Sequence, residues 1–212
     1  MSDFPVYTRA ERLIDGIVHV TGVGAALAGL VTLIVLAAYA LDLVSVVALI
    51  VYGLALLATF SFSAAYNLVH LPGAKEWLRR LDHAAIFVMI AGTYTPFALL
   101  ALPAGEGTAL LALVWAVALA GVVLKLFFPR RFERGSVILY LLQGWAVLVV
   151  IDTLVVSLST ASLVLLTVGG GLYTLGVVFH LWEKLPFQNA IWHVFVLSAA
   201  SCHFAAVLTV VA

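Results

Sequence analysis

Long, nearly unbroken runs of apolar residues dominate the chain, and short polar connections separate them. A bilayer core of about 30 Å requires about 20 apolar residues in helical form, so each run of that length predicts one membrane-spanning helix. Seven runs are long enough, and they cover residues 17–40, 44–69, 81–102, 107–128, 136–158, 161–182 and 190–212. The pattern therefore predicts an all-α integral membrane bundle of seven transmembrane helices, with residues 1–212 forming a single domain.

Residues 1–16 differ from these runs because they mix aromatic and apolar side chains with charged ones. Such a mixture is typical of a helix that lies in the membrane interface, so we expect an interfacial N-terminal segment here. The segment lacks a short apolar stretch that ends in a small-residue cleavage site, which argues against a signal peptide. The first apolar run is therefore interpreted as a membrane helix of the mature protein.

The composition supports lipid as the solvent of this chain. Hydrophobic residues make up 65% of it and charged residues only 9%, against about 25% charged residues in soluble domains. Ten basic residues balance ten acidic ones, so the formal net charge is zero. A neutral chain has no basic surface for a phosphate backbone, and we therefore expect no nucleic-acid partner.

The basic residues indicate an orientation because they occupy only alternate connections. They lie before the first predicted span and at or near the C-terminal ends of the second, fourth and sixth spans: Arg9, Arg12, Lys75, Arg79, Arg80, Lys125, Arg130, Arg131, Arg134 and Lys184. Cytoplasmic loops of membrane proteins carry an excess of Lys and Arg. We therefore predict a multi-pass protein of the inner (cytoplasmic) membrane, with its N-terminus in the cytoplasm and its C-terminus outside.

Polar side chains inside the predicted spans gather near the same side. They form ladders with a spacing of four residues, together with one aspartate: Glu11, Asp15 and His19; Ser63 and Asn67; Asn189 and His193; and Asp82. Residues four apart share one face of a helix. Intramembrane polar groups by default indicate a functional site, although they also stabilise contacts between helices. We expect one polar binding site formed by Ser63, Asn67, Asp82, Asn189, His193 and His19.

Four segments resemble the hemolysin III family, the bacterial branch of the progestin and adipoQ receptors. They read ERLIDGIVHVTGVG, SFSAAYNLVH, RRLDHAAIFVMIAGTYTPFALL and NAIWHVFVLSAASCHFAAV. The resemblance covers nearly the whole chain in order and spacing, although Asp15 stands where the family motif of the first segment has asparagine. It implies a seven-helix membrane protein with a cytoplasmic N-terminus, which agrees with the charge pattern.

The resemblance also implies a zinc ion near the cytoplasmic face. The family motif has Ser-x3-His on the second helix, Asp on the third and His-x3-His on the seventh, and the three histidines bind the metal. Here Ser63, Asp82 and His193 match the serine, the aspartate and the second histidine of the pair. Asn67 and Asn189 occupy the other two metal positions. Because an amide oxygen is a poorer zinc ligand than an imidazole, these residues disfavour a tightly bound zinc.

Two arrangements of this site remain open from the sequence. His19 and His70 could join His193 and rebuild a set of three histidines that binds zinc. Alternatively, Asn67 and Asn189 could preserve the hydrogen bonds of the site without a metal. The sequence leaves both possibilities, and we favour the second.

Three functions are compatible with these residues. The favoured one is a protein that senses or adjusts membrane lipid state or membrane homeostasis, with a membrane lipid as its partner. The alternative is a zinc-dependent hydrolase of a membrane lipid amide or ester, resembling the alkaline ceramidases. In that enzyme Asp82 would be the general base and Ser63 would help to hold an oxyanion. Proton movement along Asp15, His19, Asp82 and His193 ranks last.

Overall fold

The computed structural model describes residues 7–40, 42–69, 71–128 and 130–211. Within these ranges the chain is helical and contains no strand. The helices are α1 (Arg9–Ala40), α2 (Leu43–Leu68), α3 (Pro72–Leu100), α4 (Ala104–Phe127), α5 (Glu133–Gly144), α6 (Ile151–Ser157), α7 (Thr160–Leu181) and α8 (Gln188–Val211). Seven helical stretches are long and apolar enough to cross a membrane, since α5 and α6 together form the fifth. This confirms the predicted fold class.

Two spans begin earlier than the apolar runs indicate. The third predicted span begins at residue 81, but α3 begins at Pro72, because proline is favoured in the first turn of a helix. Its first turns carry the charged residues that ended the apolar run. Helix α1 is continuous from Arg9, so residues 9–16 of the predicted interfacial segment belong to the same helix as the first span. Its position in the membrane interface stays a prediction.

The fifth span is broken near its middle. Helix α5 ends at Gly144, a 3-10 segment covers Ala146–Val150, and α6 follows. Backbone groups that a break releases in lipid need other partners, and the Tyr94 hydroxyl on α3 supplies two of them. It donates to the Gly144 carbonyl at 2.6 Å and accepts from the Val147 N–H at 2.9 Å. A side chain of the third span thus stabilises the break in the fifth.

Helices α2 and α3 form the centre of the bundle. Helix α2 packs between α1 and α3, α3 packs on α4, and α8 packs on both α7 and α1. Tyr52 and Phe87 are fully buried at the centre. The fit is close at Gly121, where a Cβ would lie 2.5 Å from the Phe87 ring, and such close approach is typical of helix packing in membranes. Many leucines and valines on the outer faces are exposed, as expected of a surface that contacts lipid.

Candidate functional site

The predicted site residues meet at one end of the bundle. This end contains the beginnings of α1, α3 and α8 and the end of α2. Helix α1 contributes Asp15 and His19, α2 contributes Ser63 and Asn67, α3 contributes Asp82, and α8 contributes Asn189 and His193. These seven residues are called the polar cluster below, and all of them line one cavity.

Asp15 lies at the centre of the hydrogen bonds in the polar cluster. Its side chain is largely buried, with the residue 7% exposed. One carboxylate oxygen, Oδ1, accepts a hydrogen bond from His193 Nδ1 at 2.7 Å. The other oxygen, Oδ2, accepts one from Asn189 Nδ2 at 2.9 Å. Asp15 therefore connects the first helix of the bundle to the last through two bonds to a charged acceptor.

The Asp15 carboxylate also fixes the orientation of both asparagine amides. An ionised carboxylate can only accept, so the NH₂ group of Asn189 must face it. The same NH₂ group donates to Asn67 Oδ1 at 3.0 Å. The NH₂ group of Asn67 consequently faces the other way, where it donates to the Ser63 carbonyl at 2.9 Å and to His19 Nε2 at 3.2 Å.

His19 closes the chain of hydrogen bonds into a loop. Its Nδ1 atom lies 2.8 Å from the backbone carbonyl oxygen of Asp15, and a carbonyl only accepts, so Nδ1 carries a proton. Its Nε2 atom accepts a hydrogen bond from the Asn67 amide and is therefore the unprotonated nitrogen. The loop runs from the Asp15 carboxylate through Asn189, Asn67 and His19 back to Asp15. Every member has a donor facing an acceptor, so the loop is self-consistent.

Ser63 lies between the two imidazole rings. Its hydroxyl oxygen is 3.3 Å from His19 Nε2 and 3.5 Å from His193 Nε2. The two rings meet edge to face, with their centroids 4.3 Å apart. Asp82 adjoins the Ser63 hydroxyl and interacts electrostatically with His193 and Asp15. The structure thus brings together all six predicted site residues, while His70 lies outside the described residues.

Asp15 is the member that the predicted binding set omitted. The four-residue spacing from Glu11 to Asp15 to His19 was a visible signal because it placed the carboxylate on the same face of α1 as His19. Its partners were not visible, because His193 and Asn189 lie more than 170 positions further along the chain. Only the packing of α1 against α8 brings them together.

The polar cluster does not fit the zinc ion that the family motif implies. At two of the three ligand positions, Asn67 and Asn189 direct N–H groups into the cluster, and an N–H donor cannot bind a cation. Asp15, His19 and His193 do have ligand atoms within 4.8 Å of one another. In these rings, however, both Nδ1 atoms donate to Asp15 and His19 Nε2 accepts from Asn67. Only the His193 Nε2 lone pair stays available, which is too few nitrogen ligands for zinc.

A large cavity extends from the polar cluster into the middle of the bundle and beyond. Its volume is about 1900 Å³, well above the range of about 300–1,000 Å³ that is common for small-molecule pockets. Beyond the cluster the walls are mostly apolar, and they include Ile90, Phe97, Leu110, Leu154, Leu163 and Val196. This space, called the chamber below, is polar at one end and apolar along most of its length.

Charged side chains surround the polar end of the chamber. The Glu133 carboxylate of α5 accepts hydrogen bonds from Arg79 Nη1 at 2.9 Å and from Lys125 Nζ at 3.2 Å. These bonds connect α3, α4 and α5. Tyr7, before α1, also lines the chamber. Its pKa is raised by burial and, to a smaller extent, by the nearby carboxylates, first Asp15. The phenol therefore stays neutral and can donate a hydrogen bond at this end.

Comparison with known proteins agrees with this architecture. The sequence profile of the haemolysin-III related family matches residues 7–204. The chain is 40% identical to hemolysin-3 of Bacillus cereus over 93% of its own length and 90% of that protein. It is 39% identical to a hemolysin-3 homolog of Bacillus subtilis (strain 168) over 96% of its length and 95% of that protein.

A more distant relative supports the wider superfamily. The chain is 28% identical to the human monocyte to macrophage differentiation factor over 73% of its length and 66% of that protein. The family profile and the two bacterial relatives each cover more than nine tenths of the chain. Together with the seven apolar helices, these matches show that the chain is a multi-pass membrane protein of the haemolysin III-related family.

Proposed function

We propose that this protein binds a membrane lipid in the chamber and thereby senses or adjusts lipid state. The headgroup would lie at the polar cluster and the acyl chains along the apolar walls. The observation that carries the proposal is the chamber itself, because a cavity of about 1900 Å³ with one polar end matches an amphipathic ligand in both size and polarity.

The basic residues support a definite orientation for this proposal. Arg79, Lys125 and Arg130 lie around the polar end of the chamber, and cytoplasmic loops are rich in such residues. The polar cluster would then face the cytoplasmic leaflet of the inner membrane. A lipid of that leaflet could place its headgroup at the cluster without crossing the bilayer.

Quantification of lipid that co-purifies with the protein tests the proposal. The wild-type protein and a double variant with Asp82→Ala and His193→Ala are purified in the same detergent, and bound lipid is measured per chain by mass spectrometry. Asp152→Ala is the control, because this exposed carboxylate on α6 lies away from the chamber walls. We expect the double variant to lose most of the lipid that the wild type and the control retain. Equal lipid in all three proteins would overturn the proposal.

A further inference from the structure

Three residues of the polar cluster form an ordered series of donor and acceptor. The Asp15 carboxylate lies 2.7 Å from His193 Nδ1, and His193 Nε2 lies 3.5 Å from the Ser63 hydroxyl oxygen. A carboxylate, an imidazole and a hydroxyl in this order are the parts of an acyl-transfer triad, which is recognised by geometry and roles. The last distance is longer than in a working complex, as is common in the absence of substrate.

The hydrogen-bond loop selects His193 as the base for Ser63. His19 Nε2 lies closer to the hydroxyl, at 3.3 Å against 3.5 Å for His193 Nε2, but its lone pair already accepts the Asn67 amide. His193 Nδ1 donates its proton to Asp15, so the neutral ring has its lone pair on Nε2, toward Ser63. Of the two rings beside the serine, His193 is the one that can take a proton from it. The Asp82 carboxylate is the other acceptor beside this hydroxyl, and the variants below distinguish it from His193.

The departures from the family motif agree with this assignment. Asp15 replaces an asparagine and so provides the carboxylate that orients His193. Asn67 replaces a histidine, occupies the lone pair of His19 and holds that ring in one tautomer. Asn189 replaces another histidine and donates to the second oxygen of Asp15. Asn67 and Asn189, which stand at two zinc positions, therefore hold His19 and Asp15 in place around the series Asp15, His193, Ser63.

We propose that Ser63 is a nucleophile that His193 activates and Asp15 positions, and that it cleaves carboxylic esters with long acyl chains in the chamber without a metal. This proposal rests on the proposed function, because the ester must first enter the chamber. The apolar walls beyond the cluster set the preference for a long acyl chain. Ser63 is largely buried and lines the chamber at its polar end.

The reaction balances with an ester and water alone. The Ser63 oxygen forms a bond to the ester carbonyl carbon while its proton passes to His193 Nε2. The bond to the leaving alcohol oxygen then breaks, and this oxygen takes the proton from His193. Water, deprotonated by His193, next attacks the acyl carbon. The bond from this carbon to the Ser63 oxygen breaks, the Ser63 oxygen takes the proton back from His193, and the carboxylic acid leaves. Asp15 keeps its charge throughout and stabilises the imidazolium.

A long-chain alkyl fluorophosphonate tests the proposal, because it forms a stable bond only with an activated serine. The probe is added to the purified full-length protein in detergent with a chelator present, and the modified peptide is identified by mass spectrometry. We expect one adduct at Ser63 and none in Ser63→Ala. The control is Thr59→Val, since the Thr59 hydroxyl lies one turn earlier on α2 and donates to backbone carbonyls. This control should be labelled like the wild type.

The role of Asp15 is tested by the rate of labelling. In Asp15→Asn we expect the first-order rate at saturating probe to fall at least ~10-fold, since the corresponding change in a serine protease lowers turnover by about 10⁴. The probe concentration at half-saturation should not change, because Asp15 acts through His193 and does not contact the probe. A purely structural role would alter both values, because a distorted site would also bind the probe less well.

Several results would overturn the proposal. One is the absence of an adduct on Ser63 in protein whose thermal midpoint is normal. A second is labelling that survives both Asp15→Asn and His193→Ala. A third is loss of labelling in Asp82→Asn but not in Asp15→Asn, which would make Asp82 the base. Failure of the lipid-binding proposal is separate, because it appears as equal lipid content in the co-purification experiment whatever the probe does.

Discussion

Replacing Asp15 by asparagine should destabilise the whole bundle, because this residue connects α1 to α8. The substitution keeps the shape of the side chain but leaves one oxygen acceptor instead of two. The new NH₂ group must then face either His193 Nδ1 or the Asn189 amide, and both of these are donors. One hydrogen bond is lost and a donor faces a donor in a buried place.

The size of the effect follows from these two contacts. Hydrogen bonds between membrane helices contribute about 0.6 kcal/mol on average and about 1.7 kcal/mol at most, while bonds to charged groups in soluble proteins contribute about 1.5–3 kcal/mol. Weakening both contacts should therefore cost about 1–3 kcal/mol of unfolding free energy. In a chain of this size each kcal/mol corresponds to about 2–4 °C. We expect the thermal midpoint to fall by roughly 2–12 °C.

The single cysteine of the chain provides the assay. Cys202 lies partly buried in α8, so a dye that becomes fluorescent on reaction with a thiol reports unfolding during heating in detergent. The control is Asp152→Asn, which makes the same chemical change at an exposed position of α6. A midpoint for Asp15→Asn that equals the wild type, or an equal loss in the control, would refute the role given to Asp15.

Three further predictions concern other parts of the molecule. Tyr94→Phe should cost about 1–3 kcal/mol, because two backbone groups at the break in the fifth span lose their partner, and faster hydrogen exchange over residues 144–150 would show this. Asp42 caps α2, and hydrogen bonds from the Ser45 amide and hydroxyl hold its pKa below the ordinary value of 3.8. The cap therefore stabilises the fold above that pH, so the lower thermal midpoint of Asp42→Ala at neutral pH should disappear as the pH falls below 3.8. Elemental analysis should find little zinc in the wild type and about one zinc per chain in a triple variant with Asp15→Asn, Asn67→His and Asn189→His. About one zinc per chain in the wild type would contradict the conclusion that the polar cluster does not fit zinc.

The spans were predictable because lipid imposes a simple rule on length and polarity. The rule failed at the beginning of α3, where Lys75, Arg79 and Arg80 are helical although they are charged. Arg79 and Arg80 form ion pairs with Glu76 within α3. Arg79 also pairs with Glu133 of α5, and this contact between helices cannot be read from an apolar run. The break after Gly144 was not predictable either, because its stabilising hydroxyl comes from another helix.

The clustering of these polar side chains was predictable, whereas their hydrogen bonds were less so. Spacings of four residues and similar depths brought Ser63, Asn67 and His193 together correctly. The central role of Asp15 could not be predicted, because it depends on which helices are neighbours in the bundle. The protonation of His19 follows from the Asp15 carbonyl beside Nδ1 and from the orientation of the Asn67 amide, and both require coordinates.

A comparison of two neighbouring glycines on α7 tests the lipid chamber most directly. Gly170 lines the chamber, where a Cβ would meet the Trp145 ring at 3.6 Å, whereas a Cβ at Gly171 would meet nothing within 4 Å and this residue is not part of the wall. Bound lipid per chain is measured by native mass spectrometry in Gly170→Phe, Gly171→Phe and the wild type. We expect Gly170→Phe to retain less than half of the wild-type lipid and Gly171→Phe to retain all of it. Equal lipid in the two variants would contradict the assignment of the chamber as the lipid-binding site.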